Sequence, residues 1–217
     1  MLLLDGPRVA RGAHKVVRPV VRSARRSAAR RRLDRVTAPG ARLHLGCGPN
    51  RLDGWLNLDL DRRSAADVRH DLRDGLPGRP GTARRIYSEH VFEHLELAHG
   101  VQLLADCRQI LEPGGVLRIA MPDLRAIVDA YLGDWQDQAW LQNPAFDRID
   151  TPAHMLNVSV HEWGHRYLYD WDELRLRLEQ AGFSDIVRGE WGRSDHPDLV
   201  GLETRPDSKL IAEAKAP

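Results

Sequence analysis

Cysteine is scarce in this 217-residue sequence. Cys47 and Cys107 are the only two, too few for a disulfide framework, so a reducing, cytoplasmic setting is expected. Long apolar runs are missing as well. No stretch approaches the roughly 18 residues that span a bilayer. The apolar Met1–Leu4 is cut off by Asp5, too short for the apolar region of a signal peptide. Lysine is rare, with only Lys15, Lys209 and Lys215 among 32 basic residues. What is present is an ordinary soluble composition, 42% apolar and 29% charged, at a length suited to one domain with a short appendage.

The net charge of +1 conceals a division. Residues 1–35 hold eleven basic residues against Asp5 and Asp34, a net +9, which leaves −8 on residues 36–217. Residues 1–37 are therefore read as a basic N-terminal arm and 38–217 as the domain proper. Residues 22–33 read as a helix, with Ala24, Ala28, Ala29 and Leu33 able to share one side. Charge runs of this kind are usually solvated. The functional alternative is a peripheral contact of residues 8–35 with an anionic membrane surface, an acidic glycan or nucleic acid. Nucleic acid is the weakest of these, because the −8 of the domain repels phosphates.

After Thr37-Ala38-Pro39-Gly40 the chain alternates regularly. Short apolar strands are expected over 42–45, 55–60, 66–69, 85–87, 116–121, 183–190 and 210–215. Helices are expected over 95–111, 124–132, 135–141 and 171–181. This pattern predicts an α/β fold, a doubly wound and mostly parallel sheet with helices on both faces. Ligands of such sheets sit outside the carboxyl ends of the strands, and the distinctive polar residues cluster there. Gly46-Cys47-Gly48 follows the first strand, Asp59 ends the second, Asp71 follows the third, Ser88-Glu89-His90 ends the fourth and Asp123 ends the fifth. Glycines allow a ligand close to the backbone, and an acid ending the second strand can accept both hydroxyls of a ribose. Asp71 could meet an adenine amino group.

Taken together, His44-Leu45-Gly46-Cys47-Gly48-Pro49-Asn50, Gly54-Trp55-Leu56-Asn57-Leu58-Asp59, Asp71-Leu72, Ser88–Leu95, Leu111–Leu117 and Ala181-Gly182-Phe183 resemble the ordered motifs of class I S-adenosylmethionine-dependent methyltransferases. The resemblance covers about residues 40–215. It is nearest to predicted methyltransferases of small-molecule and surface-polysaccharide pathways. It implies a Rossmann-like methyltransferase fold with a seven-stranded sheet whose last strand is antiparallel. It also implies S-adenosylmethionine as cofactor, with Gly46 and Gly48 under the methionine part, Asp59 on the ribose and Asp71 near the adenine. Leu45, Cys47, Asn57, Leu72, Ser88 and Glu89 belong to the same cofactor-side motifs. The expected reaction is methyl transfer to oxygen on a small molecule or glycan. A nucleic-acid methyltransferase and a non-catalytic cofactor-binding protein are the alternatives, and a homodimer is a further expectation.

One departure stands out. Only thirteen residues separate Gly46 from Asp59, against about 20 in a usual βαβ unit. The first crossover therefore has no room for a full helix, and residues 22–35 are expected to cover part of the bare face. For the acceptor side, His90, Asp123, His161 and His165 are the candidate catalytic residues, with His154 a weaker one. His90 is the favoured base, since an imidazole titrates near neutrality. Residues 131–171 form an acceptor-side insertion rich in Trp and Tyr, which suits sugar rings or core packing. Two zinc-protease patterns compete: His161-Glu162-Trp163-Gly164-His165 and the inverted His90-Val91-Phe92-Glu93-His94. Gly164 inside the first and the sheet-mouth position of the second argue against the helices those motifs need, so no metal site is assigned. Asp123 with these histidines could nonetheless supply ligands to a divalent cation.

Overall fold

The computed structural model describes Leu33 and residues 38–76, 78–146 and 148–217. The expected helix over 22–33 and the surface contact of residues 8–35 thus lie outside the described residues, Leu33 excepted. Seven strands are formed: β1 Ala41–Leu45, β2 Leu56–Asp59, β3 Val68–Arg69, β4 Ala83–Glu89, β5 Leu111–Met121, β6 Ser184–Arg188 and β7 Leu210–Lys215. Beyond the helical Leu33, four α-helices accompany them among the described residues: α1 Leu97–Ile110, α2 Leu124–Leu132, α3 Pro152–His161 and α4 Trp171–Gln180. The strands form one sheet in the order β3-β2-β1-β4-β5-β7-β6. β1 to β5 pair in parallel, and β7 runs antiparallel to both β5 and β6. No helix among the described residues is long and apolar enough to cross a membrane.

Strand alternation sorts the core onto two faces. Leu43 and Leu45 of β1, Ile86 of β4, and Leu117, Ile119 and Met121 of β5 join the larger cluster. Leu103, Leu104, Cys107 and Ile110 of α1 and Leu174 and Leu178 of α4 pack against it, at the i, i+4, i+7 spacing of a helix stripe. Leu33 joins this cluster too, 2% exposed. The intervening residues His44 and Tyr87 turn to the other face, where their rings stack at 5.3 Å. There Trp55, Tyr87, Val116 and Leu199 form a second cluster, flanked by Leu52 and Leu202.

The second cluster answers the question of the missing crossover helix. Right-handed crossovers that step in opposite directions along a sheet place their helices on opposite faces. β4–α1–β5 steps one way and β1–β2 the other, so the absent helix belongs on the face opposite α1. That face is closed by Leu52 and Trp55 of the short crossover and by Leu199 and Leu202 of the long connection between β6 and β7. The connection is anchored by Arg118, fully buried on β5. Its Nε donates to Glu203 at 2.6 Å, its Nη1 to Glu213 and its Nη2 to the carbonyl of Glu190 at 3.0 Å. Of residues 22–35, only Leu33 is described, and it sits in the first cluster rather than the second.

Two segments depart from the expected elements. Residues 135–141 do not form an α-helix but a chain of 3-10 turns, Trp135–Asp137, Ala139–Gln142 and Pro144–Phe146. Conversely, α3 forms where no helix was expected. Pro152 occupies the first turn, where its missing N–H is not needed, and the Thr151 side chain caps it by accepting from His154 N.

Candidate functional site

β1 ends in a glycine turn, and both glycines are needed for it. Gly46 has φ +66° and Gly48 φ +51°, the left-handed region that glycine enters freely. A Cβ at Gly46 would overlap Val91, whereas at Gly48 no described side chain or backbone lies within 4 Å of one. The turn is gripped by the end of the neighbouring strand. Asp59 Oδ2 accepts from Gly48 N at 2.8 Å, and its Oδ1 accepts from Asp61 N at 2.7 Å. The carboxylate at position 59 is thus aimed at the glycine turn. Cys47 lies between, buried, its thiol pushed up to about 11 by burial and by the nearby Asp59 and Asp67 carboxylates.

Glu89, ending β4, faces the same turn. Its carboxylate accepts from Thr204 N, Thr204 Oγ1, Arg205 N and Ser208 Oγ, at 2.7 to 3.1 Å. Asn50 of the glycine turn donates to the same Thr204 hydroxyl at 3.0 Å. Thr204 therefore bridges β1 and β4 over the hollow between them. The hollow, lined by Gly46, Cys47, Gly48, Tyr87, Glu89 and Thr204 among others, holds about 60 Å³. Ligand pockets run from about 300 Å³ upward.

A second cavity of about 670 Å³ adjoins it, over the ends of β4 and β5. His90 and Arg205 line both and form the wall between them. Its aromatic side is Trp140, Phe146 and Trp163, packed edge to face at 5.2 to 5.5 Å. Two wall residues hold backbone conformations rare outside glycine, His90 at φ +53° and Trp163 at φ +56°, and such strain concentrates at functional sites. His90 Nε2 lies 3.1 Å from Ser208 Oγ and Nδ1 3.1 Å from Glu93 Oε1.

The structure brings some of the anticipated residues together and places others elsewhere. Gly46, Cys47, Gly48, Glu89 and His90 surround the hollow, with Asp59 bonded to the turn. Leu45 and Leu72 do not line it; both side chains are in the first core cluster. Ser88 is likewise wholly buried, with no hydrogen-bond partner for its hydroxyl among the described residues. Asn57 is a structural hub. Its buried amide bonds the carbonyls of Leu52 and Trp55, Asp67 Oδ2, Leu52 N and His44 Nδ1, and so holds the short crossover in shape. Asp71 caps the 3-10 turn Leu72–Asp74 and pairs with Arg73, whose hydrogen bonds hold its carboxyl below the usual range against the effect of burial.

On the acceptor side His165 and Asp123 line the larger cavity, but both Asp123 oxygens are occupied, by Arg125 N at the start of α2 and by Arg188 Nη2 at 2.7 Å. Asp123 thus caps α2 and anchors Arg188. His161 and His154 are exposed on α3, away from the cavity lining. Residues overlooked as sites are Thr204, Arg205 and Ser208, which reach the hollow from more than a hundred residues away, and the buried Glu93.

No family model and no curated protein matches the chain. Solved structures do match. A SAM-dependent methyltransferase from Thermotoga maritima aligns at 13% identity with a TM-score of 0.52, over 91% of this chain and 92% of that one. A counterpart from Mesorhizobium loti aligns at 18% identity and a TM-score of 0.48, over 87% and 96%. One from Archaeoglobus fulgidus aligns at 14% and 0.48, over 89% and 94%. At such identities the likeness concerns the fold, and the seven-stranded mixed sheet described above is the Rossmann-like methyltransferase fold.

Proposed function

We propose that this chain is an S-adenosylmethionine-dependent methyltransferase acting on an oxygen of a small molecule or glycan. The observation that carries the proposal is the pairing of two compartments across one wall. A glycine turn gripped by a β2 carboxylate stands on one side, a large aromatic-lined cavity on the other, and His90 between them. The donor set fits an adenosyl cofactor: two backbone-exposing glycines, a carboxylate at the ribose position and open space at Gly48. Gly46, Cys47 and Gly48 would hold it by their backbone and Asp59 by its carboxylate, with Glu89 at the rim. The space beside the turn is small, so accommodation requires the Thr204–Arg205 segment to lift from Glu89.

S-adenosylmethionine brings the electrophilic methyl group, which leaves positioning and proton removal to the protein. The cavity holds the acceptor, with Trp140 and Trp163 offering flat faces to a ring. His90, on the shared wall, is the proposed base for the acceptor hydroxyl.

Calorimetric titration with S-adenosylmethionine and S-adenosylhomocysteine, followed by a labelled-methyl screen of sugar and metabolite acceptors, tests the reading. Asp59→Ala is expected to lower cofactor affinity about tenfold or more, the loss of one charged hydrogen-bonding group, while the protein stays folded. His90→Ala is expected to keep the cofactor and lose turnover. Absence of binding by either cofactor overturns the proposal.

A further inference from the structure

Glu93 is 0% exposed, and neither of its carboxylate oxygens has a hydrogen-bond partner among the described residues. An ionised carboxylate taken out of water is strongly unfavourable unless a cation accompanies it. The nearest groups are imidazoles. His90 Nδ1 lies 3.1 Å and His94 Nε2 4.0 Å from Oε1.

The third imidazole comes from a distant segment. His165 packs against His94 with ring centroids 5.1 Å apart. Its Nδ1 lies 2.7 Å from the carbonyl oxygen of Ser159. A carbonyl only accepts, so Nδ1 carries the proton and Nε2 is left bare. A hydrogen bond from one ring nitrogen to a carbonyl, with the other nitrogen free, is the arrangement that orients metal-binding histidines. Burial lowers the pKa of His165, which favours the neutral ring. One ligand atom each from Glu93, His94 and His165 falls within 4.8 Å of the other two.

We propose that Glu93, His94 and His165 bind one divalent transition-metal ion, zinc in the first instance, at the edge of the large cavity. Two imidazoles and a carboxylate are the protein ligands of zinc sites that keep a coordination position open. Nitrogen donors also select such ions over magnesium and calcium, which prefer all-oxygen sets. His94 and His165 line the cavity, so the open position would face whatever enters it. Zinc–ligand bonds of about 2.0–2.2 Å require the ligand atoms to draw together by about 1 Å, a movement that the partly exposed His94 can make. His90 is the nearest further donor.

The site also explains two motifs that failed singly. His90-Val91-Phe92-Glu93-His94 is not helical but ends in the 3-10 turn Phe92–His94. In His161–His165 the helix breaks at Trp163, whose φ is +56°. Neither pattern presents its own pair of histidines on one helix face. Half of each meets the other half, because the backbone N–H groups of Arg166 and Tyr167 donate to the Glu93 carbonyl and dock the two segments together.

This inference does not depend on methyl transfer, and its test reads metal directly. The full chain, free of any polyhistidine tag, is loaded with Zn²⁺, dialysed against metal-free buffer and analysed by plasma mass spectrometry. About one ion per chain is expected. Loading with Co²⁺ instead is expected to give the visible absorption of a four- or five-coordinate ion. His94→Ala and His165→Ala, checked for folding by circular dichroism, are expected to bring the metal content to background. Glu93→Gln, of the same shape, is expected to weaken binding by more than the roughly 10–100-fold typical of losing an outer-shell partner. His161→Ala, exposed on α3, is expected to retain the ion. Background zinc in the unaltered chain overturns the proposal. So does binding that survives both histidine substitutions, or that is lost equally with His161→Ala.

Discussion

At the scale of the residue, the site is governed by positions where one atom more or less changes the outcome. Gly46 combines a left-handed φ of +66° with a close approach of Val91 to the place where a Cβ would stand. Gly46→Ala therefore meets both backbone strain and overlap, each of order 1–3 kcal/mol. In urea unfolding the variant is expected to be destabilised by about 2–6 kcal/mol, the two effects together. Adding Val91→Ala is expected to restore only part of this, since it relieves the overlap and leaves the strained φ; full recovery would show that steric overlap alone fixes the glycine. The same resolution separates residues that look alike in sequence. Asp59 ends one β-strand and Asp71 follows the next, yet Asp59 grips the glycine turn while Asp71 is spent on capping and on Arg73. The difference lies in what stands opposite each side chain, which strand-end position alone does not reveal.

At the scale of the element, the connection between β6 and β7 does the work of the absent first-crossover helix. It closes the second face with Leu199 and Leu202, inserts Glu203 against Arg118 and lays Thr204 across the glycine turn and Glu89. If the hollow takes the proposed cofactor, this last contact sets loop and cofactor in competition for the same space. On the proposed function, Thr204→Val removes the hydroxyl that Glu89 and Asn50 share. The released anchoring, about 1.5 kcal/mol for a hydrogen bond to a charged group, should appear as roughly tenfold tighter binding of S-adenosylhomocysteine in calorimetry. Weaker binding would mean that the segment is a wall of the pocket rather than its plug. None of this was legible from the sequence, because Thr204 and Glu89 are 115 residues apart and neither belongs to a periodic pattern. Elements with a strong local signal were legible: α2 and β7 run over the expected 124–132 and 210–215. The misread elements lie together in 135–161. There the helix that Pro152 opens was not expected, and the helical pattern of 135–141 dissolves into 3-10 turns before Pro144.

For the whole molecule, the division between a +9 segment and a −8 remainder makes two contributions of residues 1–35 separable. The mostly parallel sheet and the gathering of polar residues at its strand ends followed from the strand–helix alternation, and the seven strands with an antiparallel last one from the resemblance of the motifs. How the shortened crossover would be covered did not follow, because that depends on contacts distant in sequence. Leu33 is the described link between the basic segment and the core, buried among the leucines of the first cluster. Leu33→Ala is expected to cost about 2–5 kcal/mol through lost burial and the cavity left behind, and that cost is apolar and insensitive to salt. Deleting residues 1–35 removes the same side chain and also leaves −8 without its counter-charge, a long-range repulsion screened over about 10 Å at 0.1 M salt. The truncated chain is therefore expected to have the lower Tm of the two at low ionic strength and to converge on Leu33→Ala as salt is raised. Equal melting of the truncated and full-length chains would mean that Leu33 contributes nothing measurable to the core. A gap between the two variants that persists at high salt would assign the arm's contribution to contacts other than charge.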